Sequence, residues 1–195
     1  MRTASITRST NETEITVTVN LDGSGRHEIA TGIGFLDHML AQVALHGILD
    51  ITLHARGDLH IDVHHTLEDC GLALGQALDA ALGTRTGINR MGAAWVPMDE
   101  ALAQVVLDLS GRPYAVVHAE WHTPAIGAVP TSLLAHFLES LAVTLRANLH
   151  ARVAYGRDDH HQAEALFKAL GRALLQAVQL EPRRQGVLPS SKGKL

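Results

Sequence analysis

The sequence predicts an α+β protein built of two similar halves. Three observations lead there: an ungapped internal repeat, stretches of helical apolar spacing that pass into short strand-like runs, and enough apolar residues for a packed core. The chain has 195 residues, of which 46% are hydrophobic and 18% charged, a balance that favours a folded domain over disorder. The repeat aligns DVHHTLEDCGLALGQALDAAL (Asp62 to Leu82) with DDHHQAEALFKALGRALLQAV (Asp158 to Val178). Both obey D-x-H-H-x-x-E-x5-L-G-x-A-L-x-x-A-(L/V). Agreement at so many positions indicates a duplication, with repeats of about 1–85 and 86–180 and a tail over 181–195.

The elements follow in order. Ser5–Thr10 and Glu14–Leu21 alternate as a pair of strands. Leu36, Met39, Leu40 and Val43 recur at helical spacing, and Ile48–Ala55 then reads as a strand. From Asp62, a candidate N-cap, an apolar stripe of Leu67, Cys70, Leu74, Leu78 and Leu82 predicts a helix stopped at Gly83. Ala93–Pro97, Leu102–Leu109 and Tyr114–Glu120 are strand-like. Leu133, Leu134, Phe137, Leu141 and Leu145 mark another helix, Leu149–Tyr155 a strand, and Leu166, Leu170, Leu174 and Val178 a last helix capped by Asp158. Helices on one face of two sheets, or of one shared sheet, would bury these stripes. The tail EPRRQGVLPSSKGKL, with two prolines and two glycines, is not expected to be helical.

Composition narrows function. A net charge of −4 argues against a dedicated nucleic-acid or anionic-membrane binder. A single cysteine, Cys70, excludes an internal disulfide and a cysteine-rich zinc site. The polar start lacks a signal-peptide stretch and no apolar run is long enough to span a bilayer, so a cytoplasmic protein is expected. Histidine is in excess, with 13 residues against 16 Lys plus Arg.

The excess is ordered. His64, His65 and Glu68 repeat as His160, His161 and Glu164, and each set has an upstream histidine, His38 or His136. On a helix, His64 and His65 both lie near Glu68, but adjacent residues point about 100° apart. One HH pair therefore suits two different metals. Six histidines and two glutamates divide naturally as two sites of four, leaving coordination positions open for water or substrate. One HHxxE alone is a weak signal that reads more readily as capping or exposed histidine; the duplication is what argues for metal. Imidazole suits zinc, iron, nickel or copper, and carboxylate shifts preference toward manganese. Arg90, Arg112, Lys168, Ser190 and Lys192 could hold a phosphate, each by itself reading as a solvated surface group. Glu12 is a lone carboxylate in a strand-edge context that also reads as simply exposed, and Asp99 and Glu100 could back a metal ligand, start a strand or act as acid/base groups.

TGIGFLDHML, DVHHTLEDCGLALG, PMDEAL, LDLSGRP, HHQAEALFKAL and the terminal PSSKG together resemble the imidazoleglycerol-phosphate dehydratase family in its stand-alone form, from about Arg8 to the C-terminus. The resemblance implies two β/α halves like the second domain of ribosomal protein S5, trimers assembling into a 24-subunit cage, and two manganese ions per active site with ligands from different subunits. By motif match the ligands would be His38, His64, His65, Glu68, His136, His160, His161 and Glu164. The implied reaction is dehydration of imidazole glycerol phosphate to imidazole acetol phosphate in histidine biosynthesis, with the metals as Lewis acids. Glu12 and Glu164 are the implied proton-transfer groups, His38 and Gln42 contact substrate, and Arg90, Arg112, Lys168, Ser190 and Lys192 match phosphate-binding positions, with the tail as a lid. Two departures are Asp158, where the family usually has Asn, and Ser191, where Thr is common. A dinuclear metal phosphohydrolase and a metal-storage cage are the alternatives.

Overall fold

A computed structural model describes all residues, Met1–Leu195. The first half contains strands β1 (Thr3–Ser9), β2 (Thr13–Asn20), β3 (His27–Ala30) and β4 (Asp50–Gly57), with helix α1 (Gly34–Gly47) before β4 and α2 (His64–Leu82) after it. The second half repeats this plan: β5 (Met91–Met98), β6 (Ala101–Asp108), β7 (Tyr114–His118), a small hairpin of β8 (Ala125–Ile126) and β9 (Val129–Pro130), then α3 (Ser132–Leu145), β10 (Asn148–Tyr155) and α4 (Asp159–Val178). The sheets have matching strand orders, β1-β2-β4-β3 and β5-β6-β10-β7. In each, the first three strands are antiparallel and the edge strand β3 or β7 runs parallel to its neighbour.

Several boundaries differ from those the sequence predicts. The strand expected over 48–55 begins at Asp50, because Ile48 is a left-handed cap with φ 53° that ends α1. The central hairpin of the second half turns tightly at Asp99 and Glu100 between Met98 and Ala101, and β7 stops at His118. Strand β3 was not predicted. At four residues, mostly exposed, it carries no clear alternation. Asp62 accepts from the N–H of His64 at 2.8 Å, but Val63 takes the N-cap position of α2. Asp158 caps α4 as expected, accepting from the N–H groups of His160 and His161. The tail holds one short 3-10 turn at Pro182–Arg184.

The helices exchange partners between halves. α2 packs on α3, and α1 packs on α4. Each crossing centres on a repeat-related glycine. A Cβ on Gly75 would stand 2.5 Å from the Leu141 carbonyl oxygen, and one on Gly171 would stand 2.8 Å from that of Val43. Phe137 of α3 and Phe167 of α4 meet with ring centroids 5.6 Å apart, joining the two helix pairs. One cluster of 47 buried apolar residues runs through both halves, so neither half has a separate core. No helix is long and apolar enough to cross a membrane.

Two predictions follow from this packing. Gly75→Val and Gly171→Val should each lower stability by about 1–3 kcal/mol through overpacking, read from denaturant unfolding. Buried Asp159 accepts from the N–H groups of His122 and Thr123 and from the Thr123 hydroxyl. Burial pushes its carboxyl up, but these hydrogen bonds outweigh it and hold the pKa below the usual aspartate value. The resulting stability is complete above about pH 4 and is lost as pH falls through the lower folded pKa. Asp159→Asn should flatten this acid limb in unfolding measured against pH.

Candidate metal centres and active site

The exchange of helices assembles two His–His–Glu triads, each drawn from both halves. His38 of α1 meets His160 and Glu164 of α4, and His136 of α3 meets His64 and Glu68 of α2. The α2 and α4 pairs are one helical turn apart at i, i+4, which puts both side chains on one face. Glu164 Oε2 lies 3.0 Å from His38 Nε2 and 3.3 Å from His160 Nε2. Glu68 Oε2 lies 3.4 Å from His136 Nε2 and 3.7 Å from His64 Nε2.

These spacings suit a divalent ion. Ligand bonds of about 2.1 Å set at right angles place neighbouring donor atoms roughly 3 Å apart. The donor sets are chemically right, with two imidazoles and a carboxylate in each. His136 Nε2 is moreover buried without a hydrogen bond, although it points at Glu68. A buried nitrogen left so costs free energy that a bound cation would recover.

The expected division into two sites of four is not what a single chain forms. The triads have three members, and His65 and His161 stand apart from them. His65 Nδ1 lies 3.0 Å from Asp58 Oδ2, and His161 Nδ1 lies 2.8 Å from Glu100 Oε2. The roughly 100° step between adjacent helical residues turns them onto another face, so the expected His65–Glu68 and His161–Glu164 neighbours do not meet. The hydrogen bonds that His65 and His161 donate to Asp58 and Glu100 raise the pKa of both histidines. In return, His161 together with the N–H groups of Asp158 and Arg157 lowers Glu100 to about 2.

The two triads differ electrostatically. Lys168 Nζ lies 2.7 Å from Glu164 Oε1, whereas the repeat-related position one turn after Glu68 is Leu72. Burial works against the Glu164 carboxylate, but hydrogen bonds from Lys168 and His38 outweigh it and hold its pKa at about 2. Gln42 stands one turn along α1 with its amide 3.4 Å from His38 Nδ1. Glu12, in the β1–β2 turn, is about half exposed, 3.8 Å from His65 Nε2.

Apart from Lys168, the basic residues do not converge on the α4 triad. Arg90 forks onto Asp108 at 2.6 and 2.8 Å and donates to the Pro189 carbonyl at 2.8 Å, which ties down the tail. Its own N–H bonds to the carbonyl of Ala177 near the end of α4, about 20 Å along the helix from Glu164. Ser190 donates to the Lys194 carbonyl and accepts from the Lys192 N–H. Leu195 lies against Gly111, next to exposed Arg112. The tail thus gathers Arg90, Arg112, Ser190 and Lys192 at one end of the second half, while Lys168 belongs to the α4 triad. Asp58, beside His65, went unnoticed in the sequence because it lies in a loop with no motif spacing.

The cross-half triads generate a prediction. His38→Ala should remove metal from the site on α4 and spare the one on α2, and His136→Ala should do the reverse. Elemental analysis of single and double variants after loading with manganese checks it.

A family model described as Imidazoleglycerol-phosphate dehydratase matches residues 31–174. The chain is 59% identical to the imidazoleglycerol-phosphate dehydratase of Roseiflexus sp. (strain RS-1), over 100% of this chain and 98% of that one. It is 55% identical to that of Methanothermobacter thermautotrophicus, over 100% and 98%. Among solved structures, the Staphylococcus aureus dehydratase superposes with TM-score 0.83 at 33% identity, covering 92% of this chain and 99% of that one. The Pyrococcus furiosus enzyme in complex with (S)-C348 gives 0.82 at 38% identity, covering 97% and 100%. Repeat, fold and full-length likeness agree: the chain belongs to the imidazoleglycerol-phosphate dehydratase family, hydro-lyases of histidine biosynthesis.

Proposed function

We propose that this dehydratase depends on divalent metal, with two manganese ions per active site, and works as trimers assembled into a 24-mer with active sites shared between copies. The observation that carries the metal assignment is the pair of His–His–Glu triads. His38, His160 and Glu164 would hold one ion, and His64, Glu68 and His136 the other. His65 and His161, turned away from both, would supply the fourth protein ligand to sites on neighbouring copies. Separation of Arg90 from the α4 triad by most of a helix supports the same sharing. A small substrate cannot span about 20 Å, so its phosphate and its ring would be held by different copies.

The substrate of this reading is imidazole glycerol phosphate and the product imidazole acetol phosphate, made in the cytoplasm. The proton to be lost sits on a carbon beside the ring and is barely acidic. Bound divalent ions supply Lewis acids that hold the imidazole and draw electrons from it. The protein's own groups do the rest. Glu12 is about half exposed, with no Lys or Arg paired to it and no hydrogen bond on its carboxylate, which suits it to take that proton. Glu164, held near pKa 2 by Lys168 and His38, is a weak base at neutral pH and better suited to binding metal. His38 and Gln42 face the substrate's ring. Arg90, Arg112, Ser190 and Lys192 take its phosphate, and the tail closes over it and excludes water. Lys168 contributes through Glu164.

Manganese-loaded protein supplied with imidazole glycerol phosphate should yield the enolised acetol product. Phosphate release without that product would favour a dinuclear phosphohydrolase, and bound metal with no turnover would favour a storage cage.

A further inference from the structure

The duplication makes Glu12 and Glu100 counterparts. Each immediately precedes the second strand of its half's hairpin, β2 at Thr13 and β6 at Ala101. Those two strands hold the same place in matching sheets. Yet the two glutamates are used differently.

Glu100 is fully engaged. Its Oε2 pairs with His161 Nδ1 at 2.8 Å, and its Oε1 accepts the N–H groups of Arg157 at 3.0 Å and Asp158 at 2.9 Å. Glu12 binds the matching loop only through its backbone, where its carbonyl accepts the Asp58 N–H at 3.1 Å. Its carboxylate lies 3.8 Å from His65 Nε2, beyond hydrogen-bonding distance. The place beside His65 Nδ1 is filled by Asp58 at 3.0 Å.

The reason is a longer loop. Residues 58–63 connect β4 to His64, whereas residues 156–159 connect β10 to His160. The first half therefore has two extra residues, and Asp58 opens the longer connection. The Asp58 site carries a cost, because its Oδ1 is buried and has no hydrogen-bond partner. An ionised carboxylate can only accept, so His65 and His161 must carry their proton on Nδ1. That leaves the Nε2 lone pair of each without a hydrogen bond, 3.8 Å from Glu12 Oε1 for His65 and 3.8 Å from Asp99 Oδ2 for His161. The four triad histidines turn the same atom, Nε2, toward their glutamates.

We propose that Asp58 and Glu100 are positioning residues that fix His65 and His161 as Nε2 metal donors, and that Asp58 has thereby freed Glu12, the counterpart of Glu100, for proton transfer. The second half of this statement rests on the dehydratase reading above; the first does not.

The test measures manganese affinity by equilibrium dialysis, with turnover read separately. Carboxylates that orient a ligating histidine affect metal affinity about 10–100-fold when removed. Asp58→Asn and Glu100→Gln should each weaken manganese binding within that range, and Asp58→Ala more than Asp58→Asn, since Asn keeps an acceptor. In chelator-treated protein, Asp58→Asn should melt close to wild type, because Asn keeps an acceptor for His65 Nδ1 and only one oxygen of Asp58 is bonded at the start. Glu12→Gln should bind manganese like wild type while turnover falls by about 10²-fold or more.

Wild-type affinity in both Asp58→Asn and Glu100→Gln would overturn the positioning role. So would a loss of metal that tracks a lower melting temperature in the metal-free state. Manganese loss in Glu12→Gln equal to that in Asp58→Asn would overturn the division between Glu12 and Asp58. Failure of the unmodified protein to dehydrate the substrate would instead overturn the functional reading and leave the affinity pattern standing.

Discussion

Everything at the candidate site depends on the close crossing of helices between halves. α1 lies on α4 and α2 on α3, and the approach is tight enough that Gly75 and Gly171 leave no room for a side chain. Were each helix packed within its own half, His38 would face its own α2 and His136 its own α4. The exchange also merges the two cores. A half of roughly 90 residues would bury less of its surface than the whole chain does, and the shared cluster around Phe137 and Phe167 removes that handicap.

The second organising feature is the angular step of the α-helix. Two adjacent histidines cannot face one ion from one helix, so the HH pair serves two directions. His64 and His160 look into the triads of their own chain, and His65 and His161 face another way, each held by a carboxylate from a loop. On the proposed reading, in which these two histidines serve neighbouring copies, metal binding and association would support each other. The ends of the molecule tell the same story: Arg90 and the tail lie near the end of α4, far from the histidines at its start.

Duplication has not left the halves alike. Lys168 pairs with Glu164 where the first half has Leu72, and the β4–α2 loop is longer than the β10–α4 loop. Two sites of common origin therefore differ in charge and in which carboxylates remain free. Such asymmetry suits chemistry in which one side of a substrate loses a proton and another is only held.

The sequence by itself determined the duplication, the four helices, most of the strands and the ligand candidates, because periodicity and spacing are local properties of a chain. The i, i+4 geometry of His64 with Glu68 and of His160 with Glu164 needs nothing beyond one helix. The family was legible too, since its motifs are long and run almost the length of the chain. What the tertiary structure decided is which histidine joins which glutamate. No local rule sends His38 to Glu164, 126 positions away; that follows from two glycine crossings that exist only once the helices pack. Asp58, the partner of Glu100 and the short edge strand β3 were hidden for the same reason. Each is defined by a partner distant in sequence, and its own neighbours carry no pattern that names that partner.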